Sequence, residues 1–231
     1  MGYAAVIFDL FGTLAAFSTR AHDRVLVAMA AALNLPPQEF GRRWTSTYFA
    51  EERGANPTLE DALQQICTQV GTPQAVASVT TAARLYRDFQ RCTLAPYPEA
   101  LPVLTCLRQT GYATGLISNC PTAAADLWPE SLLAPLIDVA IFSCQVGFLK
   151  PDPRIYQLVC ERLGIPAECC LYVGDGGSRE LSGAVACGMD AVLVQRDDED
   201  PEDAQRLGRQ QWTGRTIRLL SEIPALLRDV A

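Results

Sequence analysis

The sequence has a single histidine, His22, among its 231 residues. A serine–histidine–aspartate hydrolase would need it, and nothing around it suggests such a triad. The chain also lacks any run of roughly 18 or more uncharged apolar residues, so no membrane span is expected. Its opening stretch, MGYAAVIFDL, has no basic segment before the apolar run and no cleavage signal. It reads as a first strand instead of a signal peptide. Val6 stands where an N-myristoylation pattern needs Ser or Thr. The nine cysteines, at 67, 92, 106, 120, 144, 160, 169, 170 and 187, contain no C-x-x-C pair, which argues against a zinc site. An odd number scattered through apolar segments is expected to be free thiols in a reducing cytoplasm. Positive charge is scarce as well: 19 Lys and Arg against 26 Asp and Glu leave a net −7. Nucleic acid and anionic membrane are therefore excluded as main partners, while a local basic pocket for a small anion stays open. There is no internal repeat or low-complexity tract, and Arg196–Asp203 reads as an acidic surface loop.

What is present is a sizeable core, with 49% apolar and 19% charged residues. Short apolar runs rich in β-branched residues predict strands at Ala4–Phe8, Ala113–Ile117, Val139–Phe142, Cys170–Val173 and Ala191–Val194, with a weaker one at Thr216–Leu219. Continuous apolar runs, without strict alternation, mark strands buried on both faces, as in a parallel sheet. Helical patterns at Glu99–Gln109, Pro153–Leu163 and Glu180–Cys187 each stop at a glycine, namely Gly111, Gly164 and Gly188. This alternation predicts an α/β, doubly wound, Rossmann-like core made of residues 1–14 and 95–231. Residues 15–94 break the rhythm with amphipathic segments at Arg24–Leu33, Pro37–Ala50, Leu59–Val70 and Gln74–Phe89. They are expected to form an all-helical cap over the sheet's C-terminal edge.

Open α/β sheets bind ligands beyond the carboxyl ends of their strands. Those ends carry Asp9-Leu10-Phe11-Gly12-Thr13, Ser118-Asn119 and Gly174-Asp175-Gly176-Gly177-Ser178, with Lys150 in the loop after the third strand. A carboxylate at Asp9 can attack an electrophile and split one hard step into two. Gly12 allows close substrate approach, and Lys150 would keep Asp9 ionised. The hydroxyls of Ser118 and Thr13, with backbone amides, can bind the oxygens of an anion. Asp9 and Asp175 together suit Mg²⁺, which prefers oxygen ligands.

Taken in order, FDLFGTL, ISN, KPDPRIY and VGDGGSRE resemble the four motifs of the haloacid dehalogenase superfamily, and the resemblance spans the whole chain. It implies Asp9 as nucleophile, Ser118 as a ligand of substrate oxygen, with Asn119 beside it, and Lys150 as the charge-holding residue. It also implies Mg²⁺ held by Asp9, the carbonyl of Phe11 and Asp175, with Glu180 near the metal. The small anionic substrate would sit in a pocket between cap and core that closes to exclude water.

One position departs from the pattern. Phosphatases of the superfamily carry a second Asp two residues after the nucleophile, as general acid and base, and here Phe11 stands there. The favoured expectation is a Mg²⁺-dependent hydrolase of a small phosphorylated metabolite. The alternative is an L-2-haloacid dehalogenase-like hydrolase of a small carboxylic acid. Such enzymes place an aromatic residue at this position and need no acid for a halide leaving group. They also place a halide- and carboxylate-binding Arg about where Arg42 and Arg43 lie. A further alternative is a catalytically weak binding protein. Tyr156 is expected to be a core-facing aromatic.

Overall fold

A computed structural model describes residues 2–52, 58–197 and 209–228. Six parallel strands form one sheet: β1 (Ala5–Phe8), β2 (Ala113–Ser118), β3 (Val139–Phe142), β4 (Cys170–Gly174), β5 (Asp190–Val194) and β6 (Arg215–Ile217). Their spatial order is β3-β2-β1-β4-β5-β6. The chain winds outward from β1 to β3 and then crosses back to β4, so the order reverses between β1 and β4. Strand connections leave that point in opposite directions, which opens a crevice at the strands' carboxyl ends.

The α/β class expected from the apolar runs is therefore the class observed. Alternate residues of β1 supply two separate cores. Val6 and Phe8 pack with α5 (Ala100–Gln109), α6 (Thr122–Leu127) and α10 (Ile223–Arg228) on one face. Ala5 and Ile7 pack with α8 (Pro153–Leu163) and α9 (Glu180–Ala186) on the other. The weak sixth strand is shorter and shifted from its predicted position. Glu222 accepts hydrogen bonds from the backbone N–H groups of Arg218 and Leu219, which turns the chain into the following helical turn. The short helices α6 and α7 (Ser143–Val146) had no predicted counterpart. The predicted acidic loop continues past Asp197 into residues outside the described ones.

Between β1 and α5 lie four helices: α1 (Thr19–Ala32), α2 (Pro37–Glu51), α3 (Leu59–Gln69) and α4 (Val76–Thr93). Side-chain oxygens cap two of them, Ser18 on the amide of Ala21 and Thr58 on that of Asp61, satisfying N–H groups a helix start leaves open. Their apolar stripes close on a third core containing Met29, Leu33, Phe40, Trp44, Leu63, Ile66 and Tyr86. Ala123 of α6 joins it, so the insert rests on the sheet domain through α4 and α6. The chain leaves and re-enters the sheet domain at one place. Ala15 bridges to Pro96, and the amide of Tyr97 donates to the carbonyl of Leu14 at 2.9 Å. No described helix is long and apolar enough to cross a membrane.

Candidate active site

The reversal point sets the site's geometry. β1 is hydrogen-bonded to both β2 and β4, with Phe8 level with Leu116 and Val173. The residues at the carboxyl ends of these strands, Asp9, Ser118 and Asp175, therefore emerge side by side. The amide of Asp9 still donates to the carbonyl of Val173 at 2.9 Å, fixing where its side chain begins. Gly12, at φ +89°, turns the chain back so that its amide reaches the carbonyl of Ala15 at 2.7 Å.

Lys150 enters this group from the loop after α7. Its ammonium, 3% exposed, donates to Asp9 Oδ1 at 2.5 Å and to Glu180 Oε2 at 2.6 Å. It also reaches the carbonyl of Ile117 at 3.1 Å and Tyr172 Oη at 3.3 Å. Burial alone would lower its pKa, but the charges of Asp9 and Glu180 outweigh that and hold it above the ordinary value. Thr13 donates its hydroxyl to Asp9 Oδ2 at 3.0 Å. Asp9 is thus gripped on both oxygens, by an ammonium and by a hydroxyl.

Glu180 closes the group from the start of α9. Its Oε1 accepts from the amide of Gly176 at 3.0 Å, and its Oε2 from Lys150 and from Tyr172 Oη at 2.9 Å. Burial raises its pKa to about 7, Asp9's charge adds to the rise, and Lys150 and Tyr172 oppose it. Gly174 makes room for this carboxylate: a Cβ there would lie 2.2 Å from Glu180 Oε1. Asp175, 3% exposed, accepts from the amide of Gly177 at 2.9 Å. One oxygen each of Asp9, Asp175 and Glu180 lies within 4.8 Å of the other two, all three residues buried.

Several predicted site residues are held by neighbours within the chain. Asn119 spends its amide on the backbone of Lys150, accepting from its N–H at 2.9 Å and donating to its carbonyl at 3.3 Å. It thereby fixes the lysine's loop. Arg42 and Arg43 are not brought to the cluster. They lie on α2 with side chains 76% and 43% exposed, and both pair with Glu39 one turn away. An (i, i+3) or (i, i+4) carboxylate on a solvated helix face holds them there. Ser118 is fully buried, and the weakly accepting thiol of Cys120 is the neighbour of its hydroxyl, so its donor is open to a stronger acceptor.

Two tyrosines escape a sequence reading as parts of the site. Tyr156 is core-facing as expected, yet its hydroxyl donates to the carbonyl of Glu180 at 2.9 Å. Tyr172, in the buried strand β4, holds the carboxylate of the same residue. Tyr172 showed only as a polar-tipped aromatic within an apolar run, whereas Tyr156 closes the KPDPRIY segment at the spacing from Lys150 that the resemblance gives it.

Phe11 turns toward the helical insert. Its ring meets Phe17 edge-on with centroids 6.1 Å apart, and Phe17 in turn meets His22 at 5.9 Å and Phe89 of α4 at 6.4 Å. His22 and Phe89 complete the cluster at 5.7 Å. All four rings are half-buried. Burial also lowers the pKa of His22, against the pull of Asp23.

Known proteins share this organisation. The family model described as haloacid dehalogenase-like hydrolase matches residues 3–188. The chain is 32% identical over 204 residues to Phosphatase MT3486 of Mycobacterium tuberculosis, covering 85% of this chain and 89% of that protein. It is 26% identical over 232 residues to (S)-2-haloacid dehalogenase 1 of a Pseudomonas strain, covering 96% of both. Among solved structures, a 2-haloacid dehalogenase from Pseudomonas syringae superposes with a TM-score of 0.74 at 22% identity, over 99% of this chain and all of that one. A six-stranded parallel sheet with its site at the reversal point, together with matches of this length, makes the chain a member of the haloacid dehalogenase-like hydrolase family.

Proposed function

We propose that this hydrolase cleaves a small phosphorylated metabolite by way of a covalent phosphoryl group on Asp9, with Mg²⁺ as cofactor. The observation that carries this reading is the charge balance of the site. Three buried carboxylates converge, and one ammonium, that of Lys150, contacts two of them. Buried carboxylates are retained when a cation compensates them. An all-oxygen donor set of two carboxylates and a backbone carbonyl suits a hard divalent ion. Asp9, Asp175 and the carbonyl of Phe11 would hold it. Both oxygens of Glu180 are taken by Gly176, Lys150 and Tyr172, which fits a brace for Lys150 better than a direct ligand. When bound, Mg²⁺ would offset the negative charge of the phosphoryl oxygens, so that an anionic nucleophile can approach an anionic ester.

The chain's own residues then divide the work. Lys150 and Thr13 hold the Asp9 carboxylate in one orientation, which removes the entropy cost of aligning it. One Asp9 oxygen attacks phosphorus, and the bond to the leaving oxygen breaks with its electron pair. Water next attacks phosphorus, releasing inorganic phosphate and restoring the carboxylate. The hydroxyl of Ser118 is available to a phosphoryl oxygen. The helical insert would act as the cap that shields the intermediate.

A second reading, displacement of halide from a small 2-haloacid, is favoured by the phenyl ring at position 11 and by the similarity to (S)-2-haloacid dehalogenase 1. Assays with p-nitrophenyl phosphate and L-2-chloropropionate, each with Mg²⁺ and with EDTA, separate the two. Phosphate release that EDTA abolishes is the expected result. Chloride release that survives EDTA would overturn the phosphatase reading.

A further inference from the structure

We infer that the phosphoester this site accepts is an aryl phosphate, one whose leaving group is aromatic and departs as a stable oxyanion without being protonated. The inference rests on the phosphatase reading and narrows its substrate class. Two separate observations lead to it.

The first concerns protons. An ordinary alcohol leaves phosphorus slowly unless an acid protonates it, a contribution of roughly 10²–10⁴-fold. Around Asp9 the described groups acidic enough to protonate an alkoxide are committed, and the Ser118 hydroxyl is too weak an acid to do so. The Thr13 hydroxyl is spent on Asp9 itself. Lys150 is shared between Asp9 and Glu180 and lies 3% exposed beneath them. Glu180 is enclosed by Lys150, Tyr172 and Gly176. The side chain two residues past Asp9 is a phenyl ring. His22 stands behind Phe17, and burial keeps it neutral at pH 7. A leaving group with a low pKa needs no such donor, because its oxyanion is stable when the bond breaks.

The second concerns shape and polarity. Phe11, Phe17, His22 and Phe89 form one continuous aromatic cluster that starts two residues from Asp9 and ends on the insert. These residues are only partly buried, whereas deeper aromatics of the insert, such as Trp44 and Tyr86, are fully buried. Partly covered rings in a cluster that begins two residues from Asp9 can offer edge-to-face and offset contacts to another ring. They offer little to a sugar or an amino acid, whose hydroxyl and charged groups would lose hydration there. The same patch therefore favours the group that the lack of an acid requires.

The test is a leaving-group series at saturating Mg²⁺: substituted phenyl phosphates of rising phenol pKa, 1-naphthyl phosphate, an alkyl phosphate and acetyl phosphate. The expected result is a kcat/KM that falls steeply with leaving-group pKa, with the alkyl ester barely turned over. In Phe11→Asp the alkyl phosphate should gain about 10²-fold while p-nitrophenyl phosphate gains little, since only the former needs the proton. Phe89→Leu should lower the ratio of naphthyl to acetyl phosphate kcat/KM by about tenfold, the scale at which apolar pockets discriminate. The wild-type series stands even if a variant fails to fold. A flat series overturns the inference, and so does a flat series that becomes steep in His22→Gln, which would name His22 as the donor. No turnover of acetyl phosphate or any ester would instead sink the phosphatase reading beneath it.

Discussion

In the proposed active site, core and insert would build the two walls from opposite materials. The sheet side is charged: Asp9, Lys150, Asp175 and Glu180 are all under 7% exposed and hydrogen-bonded to one another or to backbone amides. The other side, from Phe11 of the core through Phe17 to Phe89 of the insert, is aromatic and partly buried. Fixed charges lower a barrier only when they need not reorganise, so they belong on rigid strand ends. Apolar contacts are tolerant of position and can sit on helices that move relative to the sheet. The division suggests that the sheet side does the chemistry and the insert chooses what is presented to it.

The largest effect should follow from breaking the charged wall at its centre. Asp9→Asn keeps the shape but removes the nucleophile, and should cut kcat by about 10⁴-fold or more, measured on p-nitrophenyl phosphate. Lys150→Met comes next and acts on stability as well. It leaves Asp9 and Glu180 buried without their shared cation, so it should cost about 3–5 kcal/mol in denaturant unfolding and abolish turnover. A much smaller loss would mean that the carboxylates neutralise one another by sharing a proton.

The seam between the walls gives a moderate effect. Arg196 donates to Glu99 at 2.5 Å and to the carbonyl of Thr13 at 3.2 Å, and lies over Tyr97 with its guanidinium carbon 3.5 Å from the ring centroid. It thereby ties the Thr13 turn to the segment where the chain returns from the insert. Arg196→Met should cost about 2 kcal/mol, because it leaves a charged acceptor unpaired, and kcat should fall with it through Thr13's grip on Asp9.

The aromatic wall yields the smallest effect. The folded-state pKa of His22 lies below its ordinary 6.5, chiefly from burial. The unfolded chain then binds the proton first, so stability present above that value is lost as pH falls below it. In His22→Leu the decline in melting temperature below pH 6.5 should be shallower than in wild type. An unchanged decline would assign it to carboxylates alone.

How much of this was legible in the sequence follows from the same contrast. Strand ends were readable because a continuous apolar run that stops at Asp9, Ser118 or Asp175 leaves few other structures possible. Helices of the insert were readable from their periodicity, to within a few residues at each end. Side-chain use was not. Arg42 and Arg43 look like anion ligands until Glu39 is found one turn away. Asn119 looks like a substrate contact until the backbone of Lys150 is placed against it. Arg196 acts on Thr13, far away in sequence, and Tyr172 reaches Glu180 across the turn after β4, and no local pattern encodes such pairings. The aromatic cluster joins a loop, the first helix of the insert and its last, and only the folded chain makes it continuous.

The most direct test of the account is to catch the phosphoryl group on Asp9. The enzyme would be mixed with radiolabelled acetyl phosphate and Mg²⁺, quenched in acid during turnover, digested, and its peptides mapped. The account predicts acid-stable label on the peptide bearing Asp9, released by hydroxylamine as an acyl phosphate should be, and absent in Asp9→Asn. Steady phosphate release with no label on that peptide, or label on another residue, would contradict it.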